Sequence, residues 1–316
     1  MGSYKRVGPA LGILGVHPRF AEVSMLLHGR PREIYLDVSR REVWKALTDA
    51  VELQRWFALT ARVVPGSTGR MDLIWPGGAG TRLRILAWTR HSHLRLQQVG
   101  EALDGPILDF QLRSTGTTTR MRVARESGPG PWPTTGPLSA RDGEWEFTLI
   151  GFRHYLHHHR GADRSVVVAS RCVPGNVRYA WAAMTGPGGL FGPRGLLDFI
   201  PGRRFRMGLG SEEALLRGRQ MACQPPWRLL GVLESPAQGL VTCQLSYVSE
   251  DESRLSLTAS GWRLDQAGTA GLEAVVQGIV EGWHGRQSAS LVLGADLSGN
   301  STDDGDEVMP DSAAEA

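Results

Sequence analysis

Four histidines crowd one short stretch of this chain: His154, His157, His158 and His159. His154 and His158 stand four apart, a spacing that on one helix face could hold a transition metal. The run also falls where a helix is expected to end, and cations gather at that negative pole of the helix dipole with no metal present. No metal ligand is therefore assigned. His91 and His93 share one side of a strand or turn and read as polar hairpin residues. Asp72 and Asp109 each alternate with apolar neighbours. Facing out they are solvated acids, the reading adopted; facing in, either would be a buried acid with a raised pKa and a candidate general base. No G-x-S-x-G elbow, phosphate-binding loop, H-E-x-x-H helix or dinucleotide loop occurs. Gly186-Pro187-Gly188-Gly189 reads as a plain turn. The sequence thus assigns no catalytic residue and no cofactor, and whether the chain is an enzyme stays open, with the non-catalytic reading first.

The remaining candidates are apolar. Trp75, Trp88, Phe110, Trp145, Leu149 and Phe152 lie on strands and a helix that should converge. Such residues usually build a core. Where a curved sheet wraps a single helix, the core can be incomplete and become a cavity for a small hydrophobic molecule.

The elements that would position them are legible. Glu33 to Val38 alternates as a strand. Ser39 and Glu42 have capping-box spacing, so a helix starts there, and Asp49 and Glu52 repeat the spacing for a second short helix. Val43, Leu47, Leu53, Trp56 and Phe57 give the pair an apolar face. Six alternating runs follow: 62–64, 71–75, 82–88, 94–96, 108–112 and 120–123. They predict an antiparallel sheet with one wet face. Gly66 to Gly69 and Gly116-Thr117-Thr118 are turns, and 127–141 is loop. Trp145, Leu149, Phe152 and Leu156 form one stripe of a single helix that stops at Gly161.

The strand entering a helix that carries Val43-Trp44-Lys45-Ala46-Leu47-Thr48-Asp49, with Leu53 and Trp56-Phe57 after it, resembles the opening of the START-like (Bet v 1-like, SRPBCC) superfamily. Within it the resemblance is to the branch related to the C-terminal domain of the Hsp90 ATPase activators. It implies an α+β fold in which a sheet wraps a long C-terminal helix, here the helix from Trp145 to Leu156, around a cavity. The order then repeats. Val166 to Val173 is a strand, and Trp181-Ala182-Ala183-Met184-Thr185 echoes Trp44 to Thr48, 137 positions on. Strands follow at 205–209, 229–233, 240–248 and 254–259. A last helix carries Leu272, Val275, Val276, Ile279 and Trp283. The expectation is a tandem of helix-grip domains: an extension over 1–30, a first domain over 31–162, a degenerate second over 163–294, and an acidic tail over 295–316.

For function the resemblance implies binding of a small hydrophobic ligand or docking of a protein partner, without catalysis. The alternatives are a polyketide aromatase/cyclase-like enzyme, which can have two such domains, and an Hsp90 co-chaperone-like activator.

Composition bounds the rest. The 316 residues carry a net charge of +3, but the tail after Gly294 holds seven acids and no base, which leaves 35 Lys and Arg against 25 Asp and Glu. Lys occurs only at positions 5 and 45. Abundant Arg, Gly and Pro are attributed to a GC-rich bacterial genome and not to nucleic-acid binding, for which aromatic interleaving is missing. Cys172, Cys223 and Cys243 form no close pair and fit a reduced cytoplasm. No apolar run is long enough to span a membrane.

Overall fold

The computed structural model describes residues 32–76, 78–100, 105–126, 144–196, 199–208 and 215–298. The expected extension over 1–30 and the loop over 127–141 lie outside the described residues, as does the tail expected over 295–316 from 299 on; its first four residues end the last helix.

The first sheet is built from β1 (Arg32–Leu36), β2 (Thr60–Val64), β3 (Arg70–Ile74), β4 (Gly80–Thr89), β5 (His93–Gln98), β6 (Ile107–Thr115) and β7 (Thr118–Glu126). Their spatial order is β1-β7-β6-β5-β4-β3-β2, antiparallel throughout. Between β1 and β2 run α1 (Arg40–Thr48) and α2 (Ala50–Trp56). The capping box at Ser39 forms in both directions. At Asp49 only half of it forms: the Asp49 carboxylate accepts from the amides of Val51 and Glu52, while the Glu52 side chain turns inward. Alternation sets the faces. Met71, Leu73, Leu83, Leu94, Leu96 and Phe110 point into the core, and Asp72 and Asp109 point out. Asp72 is paired with Arg70 and Arg82, and Asp109 with His93. Both acids face outward as expected, but Asp109 is only 12% exposed and is not freely solvated.

The second sheet repeats the plan with β8 (Arg164–Pro174), β9 (Arg204–Met207), β10 (Leu216–Gln224), β11 (Arg228–Ser235), β12 (Gly239–Tyr247) and β13 (Glu252–Trp262). Its order is β8-β13-β12-β11-β10-β9, so the first strand again pairs with the last. After β8 comes α4 (Val177–Thr185), and after β13 the long α5 (Gln266–Ser298). Leu272, Val276, Ile279 and Trp283 of α5 are fully buried against the sheet. The pentapeptide echo is structural. Thr48 donates to the carbonyl of Trp44 at 2.7 Å, and Thr185 to that of Trp181 at 2.8 Å. Among the described residues nothing corresponds to α2 and β2. Leu190 and Phe191, on the connection after α4, enter the core there instead. Both units are helix-grip folds, in tandem.

Two features depart from the expectation. Strand β10 was not anticipated, because its inward positions include Gly218 and Gln220 where the pattern calls for apolar residues. Gln220 is buried because its carbonyl accepts the amide of Ile200 at 3.0 Å. The helix expected from Trp145 to Leu156 is α3 (Glu144–His154), followed by a π-turn at Tyr155–His159, with Gly161 at φ +76° ending it.

Helix α3 lies between the two sheets. Leu149 and Phe152 pack into the first core. Phe147 and Ile150, on its other side, pack against Ala222 and Leu230 on the back of the second sheet. Trp262 of β13 belongs to the first core, and its indole donates to the carbonyl of Arg55 at 2.8 Å. Arg55 pairs with Asp163 at 3.1 Å.

Candidate functional site: the crevice between the two sheets

The interior of the first unit is nearly full. The aromatic side chains of α2 occupy it. Trp56 lies 4.4 Å from Phe152 and 4.6 Å from Phe57, and Phe57 meets Trp75 edge-on at 4.9 Å. What remains is a space of about 20 Å³ lined by eleven apolar side chains, room for about one water. Of the residues proposed from the sequence, Phe110 lines it. Trp75, Leu149 and Phe152 are buried in the surrounding core, and the Trp75 indole is satisfied by Thr81 at 2.9 Å. Trp88 sits at the edge, edge-on to Trp44 at 5.1 Å, returned to the inner face by a bulge between Ile85 and Ala87. Trp145 is on α3, and its side chain lies outside the described residues.

Glu52 closes this interior at the α2 end. Its carboxylate accepts from Lys45 at 3.0 Å, Arg55 at 3.1 Å and the Tyr155 hydroxyl. Burial alone would raise its pKa. The Tyr155 hydrogen bond and the two cations outweigh burial and hold it below the usual carboxylate value. Burial and the Glu52 contact push Tyr155 well up, so the pair is a carboxylate with a protonated phenol.

A second space, of about 770 Å³, lies between the π-turn and the back of the second sheet. That is within the range of small-molecule sites. One wall is His154, His158 and His159. The other carries Arg219, Met221, Val232 and Glu234, whose side chains share the sheet face opposite α5. Pro201, Gly202 and Arg203 close one end. The π-turn makes the histidine wall. A helix continued in α form would pair His154 with His158. The wider turn adds His159, Nε2 to Nε2 with His154 at 3.1 Å, while the His158 ring stays 4.9 Å from that of His154. His159 is also stacked flat on Trp262, rings 4.2 Å apart and 4° from parallel. π-turns of this kind recur at functional sites.

Burial, with the neighbouring imidazoles, lowers His154 to about 3, and burial with His158 and Arg263 lowers His159 to about 4. At neutral pH the pair is uncharged, one ring nitrogen donating to the other. Among the described residues no group of three His, Cys, Asp or Glu is placed to hold a metal ion. Sequence reasoning saw the histidines but not the crevice, because the opposing wall comes from strands some 65 to 80 positions away, β10 among them.

No protein-family model and no curated protein matches the chain. Solved structures do. The di-domain ARO/CYC BexL from the BE-7585A biosynthetic pathway is 13% identical over 85% of this chain and 94% of its own, with a TM-score of 0.36. DynU16, from the dynemicin biosynthetic locus, is 14% identical over 81% of this chain and 98% of its own, with a TM-score of 0.35. The Aha1 dimer from Colwellia psychrerythraea is 18% identical over 42% of this chain and 97% of its own, with a TM-score of 0.32. Similarity this distant transfers neither substrate nor partner. The fold rests on the strand orders and helices above.

The cysteines are free: Cys243 is buried, and Cys172 and Cys223 are half-buried. Burial raises Cys243 to about 12 and Cys223 to about 11, which keeps both thiols protonated and inert. No helix among the described residues is long and apolar enough to cross a membrane.

Proposed function

We propose that the chain is a non-catalytic binding protein for a small, largely apolar molecule, and that the molecule occupies the crevice between the two sheets. The observation that carries this is size. The crevice holds about 770 Å³ and the interior of the first unit about 20 Å³. The binding role is the one the family resemblance implies; the location differs from the wall of Trp75, Trp88, Phe110, Trp145, Leu149 and Phe152 expected from the sequence. That interior site is the second reading, favoured by its wholly apolar lining, and it needs the sheet and α2 to separate.

Catalysis ranks lower for a physical reason. A general base works best with a pKa near the working pH. His154 and His159, at about 3 and 4, are too weak, and Glu234 is engaged by Arg219 at 2.7 Å. His158, the third histidine of that wall, is exposed and is the candidate base left to an aromatase/cyclase-like activity.

The test is native mass spectrometry of protein purified from its own host, beside the Val232→Trp variant, which fills the crevice. A co-purifying small molecule lost in the variant supports the proposal. A molecule retained in the variant moves the site to the interior. If none is found, and no compound in a panel of fatty acids, flavonoids and aromatic polyketides shifts the melt, binding fails and protein docking takes its place. A true ligand at a hundredfold excess over Kd should add about 2.7 kcal/mol of stability.

A further inference from the structure

We propose that the crevice selects a planar apolar molecule bearing one anionic group, and that Arg203 holds that group. This rests on the crevice reading above and goes beyond it in naming the ligand's chemistry.

The charges make the first argument. Among the described residues, two guanidiniums and one carboxylate line the crevice: Arg203, Arg219 and Glu234. Glu234 accepts from Arg219 Nε at 2.7 Å, and Arg219 Nη1 reaches the carbonyl of Gly202 at 3.3 Å. That pair satisfies itself. Arg203 is exposed and, among the described residues, has no ion-pair partner. The histidine pair opposite, neutral at pH 7 and cationic only when protonated, supplies no counter-charge for it. One guanidinium with five donors and no acceptor of its own suits one carboxylate. A polyanion would meet a carboxylate at Glu234 and too few free cations.

The second argument is shape. The His154 ring, half-buried on the crevice wall, is held at its edge by His159, which is itself buried and stacked on Trp262. A fixed flat group favours a flat partner. The facing wall offers Met221, a polarisable and adaptable thioether, beside Val232. A ring system laid between them, its acid toward Arg203, would satisfy each wall.

The probes are 9-anthracenecarboxylate and the neutral 9-anthracenemethanol, titrated into the full-length protein at pH 7.5 and followed by probe fluorescence. The carboxylate is expected to bind at least tenfold tighter. Arg203→Gln should bring it to the affinity of the alcohol and leave the alcohol unchanged. Met221→Trp should block both, with melting curves confirming that the variants fold. Equal affinity for both probes, with Met221→Trp still blocking, overturns the anionic class and leaves the crevice standing. Binding of both probes undiminished in Met221→Trp overturns the crevice itself. No binding of the carboxylate overturns the proposal.

Discussion

Glu52 carries more of the first unit's polar structure than any capping role required. Removing it leaves the Tyr155 hydroxyl buried without its acceptor and strips Lys45 of its ion pair, while Arg55 keeps Asp163. Glu52→Ala should cost about 3 kcal/mol or more, as breaking a buried ion pair does, read from the urea midpoint. Its folded pKa is depressed, so its stabilisation is present above about pH 4.5 and fades as the solution is acidified below that. The histidine pair acts in a higher window. Unfolded, each imidazole takes its proton near 6.5; folded, only near 3 and 4. Between these values the unfolded chain binds more protons, so stability is complete above about pH 6.5 and falls on acidification by up to about 1.4 kcal/mol per pH unit for each histidine. Replacing both with Asn should flatten stability between pH 4 and 6.5. An unchanged slope would show that the pair is not held neutral.

At the scale of elements, α3 is where the sequence and the structure part. The stripe Leu149, Phe152 and Leu156 was readable because helical period marks it, and all three are buried. Phe147 and Ile150 fall outside that stripe, and a single-domain reading leaves them facing solvent. They are buried because a second sheet covers them, which local period does not encode. Phe147→Ala should therefore cost about 3 kcal/mol, close to Phe152→Ala, since each truncates a buried phenylalanine. A loss under about 0.5 kcal/mol for Phe147→Ala, the range of surface changes, would remove the second packing face. The π-turn was equally hidden: its residues have good helical period, and the widened turn answers to the contacts His159 makes with His154 and Trp262. The strands of the first sheet were legible because they alternate cleanly. Strand β10 was not, because a glycine and a buried glutamine hold its inward places.

Across the whole molecule, the repeat of elements was legible and the joint was not. Trp262, from the last strand of the second sheet, is 4% exposed and packs in the first core. That ties the two units, and the chain should melt in one transition. Trp262→Ala should destabilise by about 3–5 kcal/mol and separate the melt into two. Two transitions already in the unchanged protein would contradict the coupling. The same joint creates the crevice, since neither unit alone supplies both walls. The most direct test of the central claim is a crystal structure of the full chain grown with 9-anthracenecarboxylate. The account predicts electron density for the ring between His154 and Met221 with the carboxylate on Arg203. Density between α2 and the first sheet, with the crevice empty, would contradict it.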